Sequence, residues 1–546
     1  MNKNKTTDAA YALFNEFRGA YGAEWQRLAK CERLYHGDHW QDIPEKDAGE
    51  PRPVTPVLQS TVENVRADLM DGFPEAVITA DEPEYSEVAE VLTAALKENH
   101  TRCGYGREYS RLTHDLLVGG YMVQETGYDP SLNGGLGGAF IRHVDPRCIL
   151  FDPLVGDLQE GRAVFKFAPY PRAWFESHYP KQAPSMKADG LGIRPMRDDI
   201  LSVRDSDTIL LIEYWQRQYD PATGRHSVHM QKLAGGILLE DSREQKPQGY
   251  FCHGEYPFVV TALYARKGSC LGYGFIDMFE KSQLYSDKLD QILLKNALMA
   301  SHNKLLVTGA SGFDVEDLRD WSKEVHKGEN LNGVTWFPTP PLPAYLIGYV
   351  QNVRESIKQE SGSNDFSRGM TSGGVTAASA IAALQEMSSK RSRMAAKSIY
   401  DAFEAAVRQE IEVEREFCIL PRSVALTSAD SKRAKFTAKM LMKNTDLGNQ
   451  VPLEFSITVK VQRENRFSVA AHNELILNMV RMGMLTADVG MELMLFDGKA
   501  QAQALMQKKL EEMKEEAEKN EAKAQPAEAQ IIQRTPIADE LMNIGV

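Results

Sequence analysis

Residues 116–153 read LLVGGYMVQETGYDPSLNGGLGGAFIRHVDPRCILFDP, and the periodicity of the chain changes inside them. Upstream the apolar spacing is helical. Residues 8–40 place Tyr11, Phe14, Phe17, Tyr21, Trp25, Leu28 and Cys31 three and four apart, ending near Tyr35. Pro51, Pro53 and Pro56 then punctuate a loop. Val57, Thr61, Val65, Leu69 and Phe73 form a second stripe, stopped by Pro74. A helical pattern continues over 85–127 and ends in the glycines of the quoted stretch. Downstream, AFIRHV, CILFD, AVFKFA, TILLIEYWQR and HSVHMQKLAGGILLE are short, β-branched or aromatic, and separated by turn residues. Residues 120–265 are therefore expected to be mostly strand. Helices followed by strands, with helices again beyond, specify an α+β fold.

Helix returns at about 273–300, where Met278, Tyr285, Leu289, Ile292 and Met299 make a narrow stripe among Lys, Asp and Gln. A small mixed patch follows: strand NKLLVT, helix VEDLRDWSKEV and strand GVTWF, closed by Pro338, Pro340, Pro341 and Pro343. Leu346, Val350, Val353 and Ile357 predict a helix over 342–361. Beyond SGGVTAASAI (372–381), a helix without breakers runs to about 418. On it Ile381, Leu384, Ala395, Ile399, Ala402 and Ala406 fall within about 60° of one another at 100° per residue. Lys390, Arg393, Lys397 and Arg408 lie on the opposite side. PLEFSITVKVQ reads as strand, helices resume at about 468, and KKLEEMKEEAEKNEAKAQ reads as a solvated helix ahead of a tail.

Composition narrows the function classes. The chain has 546 residues, 42% hydrophobic and 25% charged, with a formal net charge of −13. Such a balance disfavours a static, charge-driven grip on nucleic acid. No run of 18 apolar residues occurs and the N-terminus lacks an apolar signal core, so the expected setting is a cytoplasm, with no membrane partner. Six scattered cysteines without a C-x-x-C pair predict buried free thiols.

The chemical motifs are weak. SGGVTAASAI resembles a phosphate loop, but Val375 and Thr376 follow Gly374, and the next Lys is Lys390. A P-loop requires Lys and Ser/Thr directly after its glycine. His36-Gly37-Asp38-His39 offers ligand types, yet a turn accounts for them better. Asp145-Pro146 and Asp152-Pro153 supply two carboxylates, and Asp-Pro also initiates turns. No metal, cofactor or catalytic residue is assigned.

The order of elements resembles a known family. RLYHGDHWQ with the Pro-rich loop and VLQSTVENVRADLMDGFPEAVI, then LLVGGYMVQETGYDP, FIRHVDPRCILFDP and SGSNDFSRGMTSGGVTAASAIAALQEMSSKR, resemble bacteriophage portal proteins of the podovirus type over residues 10–500. One departure is the lack of an Asn-Arg pair after the Pro-rich loop. The resemblance implies a ring of identical subunits, usually twelve, at one capsid vertex of the virion, assembled in the host cytoplasm. Double-stranded DNA passes through it during packaging and ejection. It further implies a wing at 1–272, stem helices at 273–301 and 342–361, a clip at 302–341 and a tunnel loop at 362–377. The wing's long helix and strands would occupy 378–466, a helical crown 467–524 and a flexible tail 525–546. Implied partners are terminase large subunit, head–tail adaptors, capsid and scaffolding proteins. On this reading Lys288, Lys295, Arg354, Lys358, Arg368, Met370 and Thr371 are candidates for the DNA channel. Asp314, Glu316, Asp317, Arg319 and Asp320 are candidates for partner docking at the clip. The alternatives are a hydrolase or nucleotide-binding enzyme using the Asp-Pro carboxylates or the Gly-rich loop, and a helical scaffold that encloses no DNA.

Overall fold

The N-terminal helix α1 (Lys3–Tyr35) turns its aromatic stripe inward, burying Phe14, Phe17, Tyr21, Leu28 and Cys31. The computed structural model describes residues 3–44, 50–188, 208–221, 224–301, 304–320, 322–336, 343–361, 390–426, 433–444, 450–463 and 466–494. Helix α2 (Val57–Met70) buries Val57, Thr61, Val65 and Leu69. It ends at Met70 rather than at Phe73, because the β-branched run that follows forms strand β1 (Gly72–Ala80) with Pro74 inside it.

Helices α3 (Ser86–Cys103) and α4 (Tyr105–Val118) come next. The helical pattern extended to 127, whereas α4 stops at Val118 and strand β2 (Tyr121–Asp129) begins. Gly120 decides this break. Its φ is +88°, and a Cβ there would lie 2.4 Å from the backbone N of Gly274. A side chain fits neither that conformation nor that contact.

The remaining strands follow the expected segments: β3 (Gly138–Val144), β4 (Ile149–Phe151), β5 (Ala163–Pro171), β6 (Thr208–Asp220), β7 (Arg225–Ala234), β8 (Ile237–Asp241) and β9 (Phe258–Ala262). Helical turns α5 (Leu132–Gly135), α6 (Arg172–His178) and α7 (Ser242–Gln245) interrupt them. The sheets are antiparallel, ordered β3-β2-β9 and β4-β5-β6-β7-β8. Gly235 and Gly236, both at positive φ, turn β7 into β8 as a two-residue hairpin requires. Aromatic rings fill the space between α1 and the larger sheet. Phe165 stacks on Tyr214 at 4.9 Å and meets Phe14 and Phe17 edge-on at 5.5 and 5.6 Å. Each such pair adds about 0.5–1.5 kcal/mol beyond its buried area.

The short pair β10 (Tyr264–Ala265) and β11 (Gly272–Tyr273) leads into the long helix α8 (Phe275–Ser301). Strands β12 (Leu305–Val307) and β13 (Val334–Trp336) pair antiparallel around α9 (Val315–Arg319). The helix expected from VEDLRDWSKEV is thus a single turn. Asp314 caps its start, and Asp320 turns the chain by accepting from Ser322 N–H. Helix α10 (Tyr345–Ser361) then packs against α8.

Helix α11 (Lys390–Phe417) buries Ala395, Ile399, Ala402 and Ala406, as the spacing requires, and exposes Arg393, Lys397 and Arg408. Ile381 and Leu384 lie outside the described residues. Strands β14 (Arg422–Ala425) and β15 (Arg433–Phe436) pair, as do β16 (Met442–Asn444) and β17 (Gln450–Pro452). Strand β18 (Phe455–Arg463) pairs with β1 across most of the chain length.

The described residues up to 426, with 433–462, form one compact unit, and those of 463–494 belong to a second. In the second, α12 (Arg466–Arg481) packs on α13 (Ala487–Leu493) and buries Ile476. Most of the expected crown, the charged Lys/Glu run and the tail lie outside the described residues. Cys31, Cys270 and Cys418 are buried as expected, but Cys252 is exposed on the loop after β8.

Candidate nucleic-acid and subunit interface

Helix α8 is anchored at its root. Asp277 accepts a hydrogen bond from the Gly274 N–H (2.9 Å), satisfying a backbone donor ahead of the first helical turn. The same carboxylate takes Arg27 of α1 at 2.5 Å, and Arg27 also donates to the Gly119 carbonyl at 2.6 Å. Lys30 pairs with Glu280 at 2.6 Å. Phe275, Ile276 and Phe279 are buried in the main core.

Away from the root, α8 presents an unusual face. Met278, Tyr285, Ile292 and Met299 recur every seven residues and are exposed by 54%, 66%, 49% and 49%. A seven-residue repeat keeps side chains on one side of a helix, as in coiled-coil seams. Here the seam faces outward. Leu289, read as part of the same stripe, is half-buried. Lys281, Lys288 and Lys295 form a second seven-residue row, about 60° round the helix from the first. On α10, Val350 and Ile357 are buried as expected, while Tyr345, Ile347 and Tyr349 are exposed. Leu306, Val315, Val325, Leu331 and Trp336 are exposed at the tip between the helices. So much uncovered apolar surface on one segment marks an interaction surface.

The structure separates the candidate channel cations. Lys288 is exposed and Lys358 is half-buried. Lys295 pairs with Glu50 at 3.3 Å. Arg354 is committed within the chain: it pairs with Asp290, donates to Thr55 Oγ1 at 3.1 Å and to Ser286 Oγ at 3.2 Å. Arg368, Met370 and Thr371 lie outside the described residues, as does SGGVTAASAI. At the tip Asp314, Glu316 and Arg319 are exposed, and Glu316 pairs with Arg319 at 3.3 Å. Asp317 binds Lys323 and His326, and hydrogen bonding from Lys323 holds its carboxyl below the usual range. Asp320 is lowered by hydrogen bonds from Ser322.

The motifs weighed for chemistry become structural. Asp145 accepts from Arg147 N–H at 2.9 Å and pairs with its guanidinium. Asp152 accepts from Leu154 N–H at 3.3 Å and pairs with Arg162 at 2.6 Å. Both are turns beside strands. His36 stays near Glu32, while His39 is buried against Asp287. Among the described residues no group of three or more His, Cys, Asp or Glu could hold a metal ion.

Sequence reasoning missed one cluster altogether. Glu410 and Glu414 sit on the buried face of α11. Glu410 faces His100 at 2.8 Å. Glu414 Oε1 accepts from Arg422 (2.9 Å), Asn99 (2.6 Å) and the Ala139 N–H (2.9 Å). These partners lie hundreds of residues away or beyond the helix end, so no local pattern announces them.

Comparison with known families settles the class. Residues 12–261 match the family model described as Phage P22-like portal protein, and residues 194–431 match Phage SU10 portal protein. The matches overlap and together span 12–431, from α1 through both long helices and α11. None of the curated proteins compared with the chain matches it. The fold, the outward-facing helix pair and two concordant family models define a phage portal protein, a structural component of the head-to-tail connection. Within that class the chain belongs to the portal proteins of podovirus type. Portal proteins sit at the capsid vertex of the virion. No helix among the described residues is long and apolar enough to cross a membrane. Neither the matches nor the turns at Asp145 and Asp152 support the hydrolase reading.

Proposed function

We propose that α8 and α10 form the stem of a closed ring and that β12, α9 and β13 form its clip. The tunnel loop would then be residues 362–377, with a crown at 467–524. The observation that carries this is the exposed seven-residue row Met278/Tyr285/Ile292/Met299. A second exposed apolar face, Tyr345/Ile347/Tyr349, lies on the paired helix. Two different faces on one hairpin suit head-to-tail packing, which closes into a ring when the rotation permits. Twelve copies is the family expectation.

In such a ring the Lys281/Lys288/Lys295 row borders the seam and faces the passing duplex. With Lys295 paired to Glu50 and Arg354 to Asp290, few cations stay free on the stem, and the chain carries a net charge of −13. DNA is guided by sparse, exchanging contacts rather than held, since each phosphate neutralised adds to affinity. The exposed acids of the tip and its apolar residues fit protein partners: terminase during packaging and head–tail adaptors afterwards. Capsid and scaffolding proteins would contact the remainder.

Negative-stain imaging and mass measurement of the purified protein test the reading. Closed rings with a central hole support it; a monomer or small dimer under all conditions overturns it. Replacing Lys281 and Lys288 with Ala tests the channel assignment, with altered DNA packaging or retention expected.

A further inference from the structure

The Pro-rich segment between α1 and α2 lies along α8 as a strap, held by a ladder of polar side chains. Gln283, Asp287 and Gln291 follow one another at four-residue spacing on one face. Gln291 donates to the Pro51 carbonyl at 2.9 Å. Asp287 accepts the Thr55 N–H at 3.3 Å. Gln283 donates to the Thr55 carbonyl at 2.7 Å and accepts the Leu58 N–H at 3.2 Å. Helix α2 lacks a side-chain cap of its own, because Pro56 stands at its N-cap. Gln283 therefore caps it from another helix. Thr55 Oγ1 donates to Asp290 at 3.0 Å and accepts from Arg354 of α10, so both long helices hold this one residue.

The ladder closes on His39, in the turn after α1. Its Nδ1 lies 2.6 Å from Asp287 Oδ2 and its Nε2 lies 2.9 Å from the Leu34 carbonyl. Both side chains are almost fully buried, at 1% and 2% exposure. Each ring nitrogen faces an acceptor, so each must carry a proton, and the ring is an imidazolium. A neutral ring would turn one lone pair toward an acceptor. The charges then balance: His39 and Arg354 against Asp287 and Asp290. Asp38, on the ring's own turn, is a further charge beside it, and Gln283 of α8 donates to Asp287 at 3.0 Å.

We propose that residues 50–58 form a proton-operated latch that locks the N-terminal helix to the paired long helices and opens when His39 loses its proton. The hydrogen bonds to Asp287 and Leu34 raise His39 despite its burial. With the folded value above the usual 6.5, the stabilisation is complete below that pH and is lost as pH rises through the folded value. The latch does not depend on the ring reading.

Hydrogen–deuterium exchange by mass spectrometry on the intact assembly tests it, following peptides that cover 50–60 and 283–291 from pH 6 to 9. After correction for intrinsic exchange, opening should increase as pH rises through the His39 titration, by up to about tenfold per pH unit, and level off above it. His39→Gln should exchange at the open level throughout. An unchanged profile in the parent protein, or the same step in His39→Gln, overturns the proposal. Should His39→Gln fail to assemble, exchange at the His39 ring carbon in the parent protein gives its titration midpoint directly. A midpoint above 6.5 supports the latch, and one at or below 6.5 overturns it.

Discussion

Replacing Tyr285 and Ile292 together with Ala tests whether the outward row on α8 is a subunit seam. Tyr285 is 66% exposed in the isolated chain. A side chain of its class buries about 150–250 Å². Covering its exposed part therefore removes roughly 130 Å² from water, about 3 kcal/mol at ~25 cal/mol/Å². Ile292 is 49% exposed. Covering that half contributes about 1 kcal/mol more. A loss of about 4 kcal/mol per seam lowers the seam's association constant about a thousandfold. Neither side chain supports the subunit's own core, so the variant should keep parental helicity by circular dichroism while its rings dissociate in sedimentation velocity. Leu154→Ala is the control, since Leu154 is exposed by 83% on the loop after β4 and belongs to neither long helix. The argument is refuted if the double variant forms rings at the same concentrations as the parent.

Gly120→Ala should cost about 2 kcal/mol or more, combining left-handed strain with collision against the Gly274 backbone. Gly134→Ala, at positive φ but in open space, should cost less, and thermal unfolding midpoints rank the two. Arg422→Ala should destabilise by about 3–5 kcal/mol by leaving buried Glu414 without its cation, whereas Arg422→Met with Glu414→Leu should recover only part of that, because Asn99 and the Ala139 N–H lose their acceptor. Equal melting of the single and double variants would contradict this. Burial, then the nearby Arg243, hold His229 below the usual histidine range. Its contribution is present above pH 6.5 and lost as pH falls through the lowered value, so His229→Leu should flatten the acid limb of the stability curve. Parallel melting curves for the two proteins between pH 7 and 5 would count against it.

What the sequence made legible was local. The stripes of α1, α2 and α11 follow from spacings of three and four, and most of their described residues are buried, with Tyr11 and Trp25 half-buried and Phe73 displaced into β1. The order of α8, the short pair β12/β13 and α10 could be read because each element carries its own period. Long-range pairing could not. Gly72–Ala80 follows a helix and contains Pro74, so nothing nearby reveals that its partner is β18. The Thr79 hydroxyl donates to the Ser456 carbonyl across 377 residues. The partners of charged residues on helices are equally hidden. Glu410 and Glu414 look solvated in a run of acids, and Arg354 looks available to DNA. Their burial or pairing depends on Arg422, His100 and Asp290, which only tertiary structure brings near. The turn at His36–His39 was read correctly as a turn, but not that one of its rings would be buried against Asp287.

Burial along α8 is the physical reason for proposing a ring. The buried positions of this helix run from Phe275 to Asp287, and none lies beyond. The last 14 residues, 288–301, extend about 21 Å at 1.5 Å per residue; the strap reaches them at Asp290, Gln291 and Lys295, and α10 packs along α8. Two helices sharing one narrow contact bury too little surface to be rigid, since helix stability in proteins comes mainly from packing an apolar face. Their outward apolar rows leave the missing support to neighbouring copies. The strap and ladder fix the helix to its own subunit as far as Lys295, so assembly has only its last turns left to order. The stem of an isolated subunit should therefore exchange its amide hydrogens fast beyond Lys295, the last residue the strap holds, and slowly before it, and that boundary should vanish in the proposed ring.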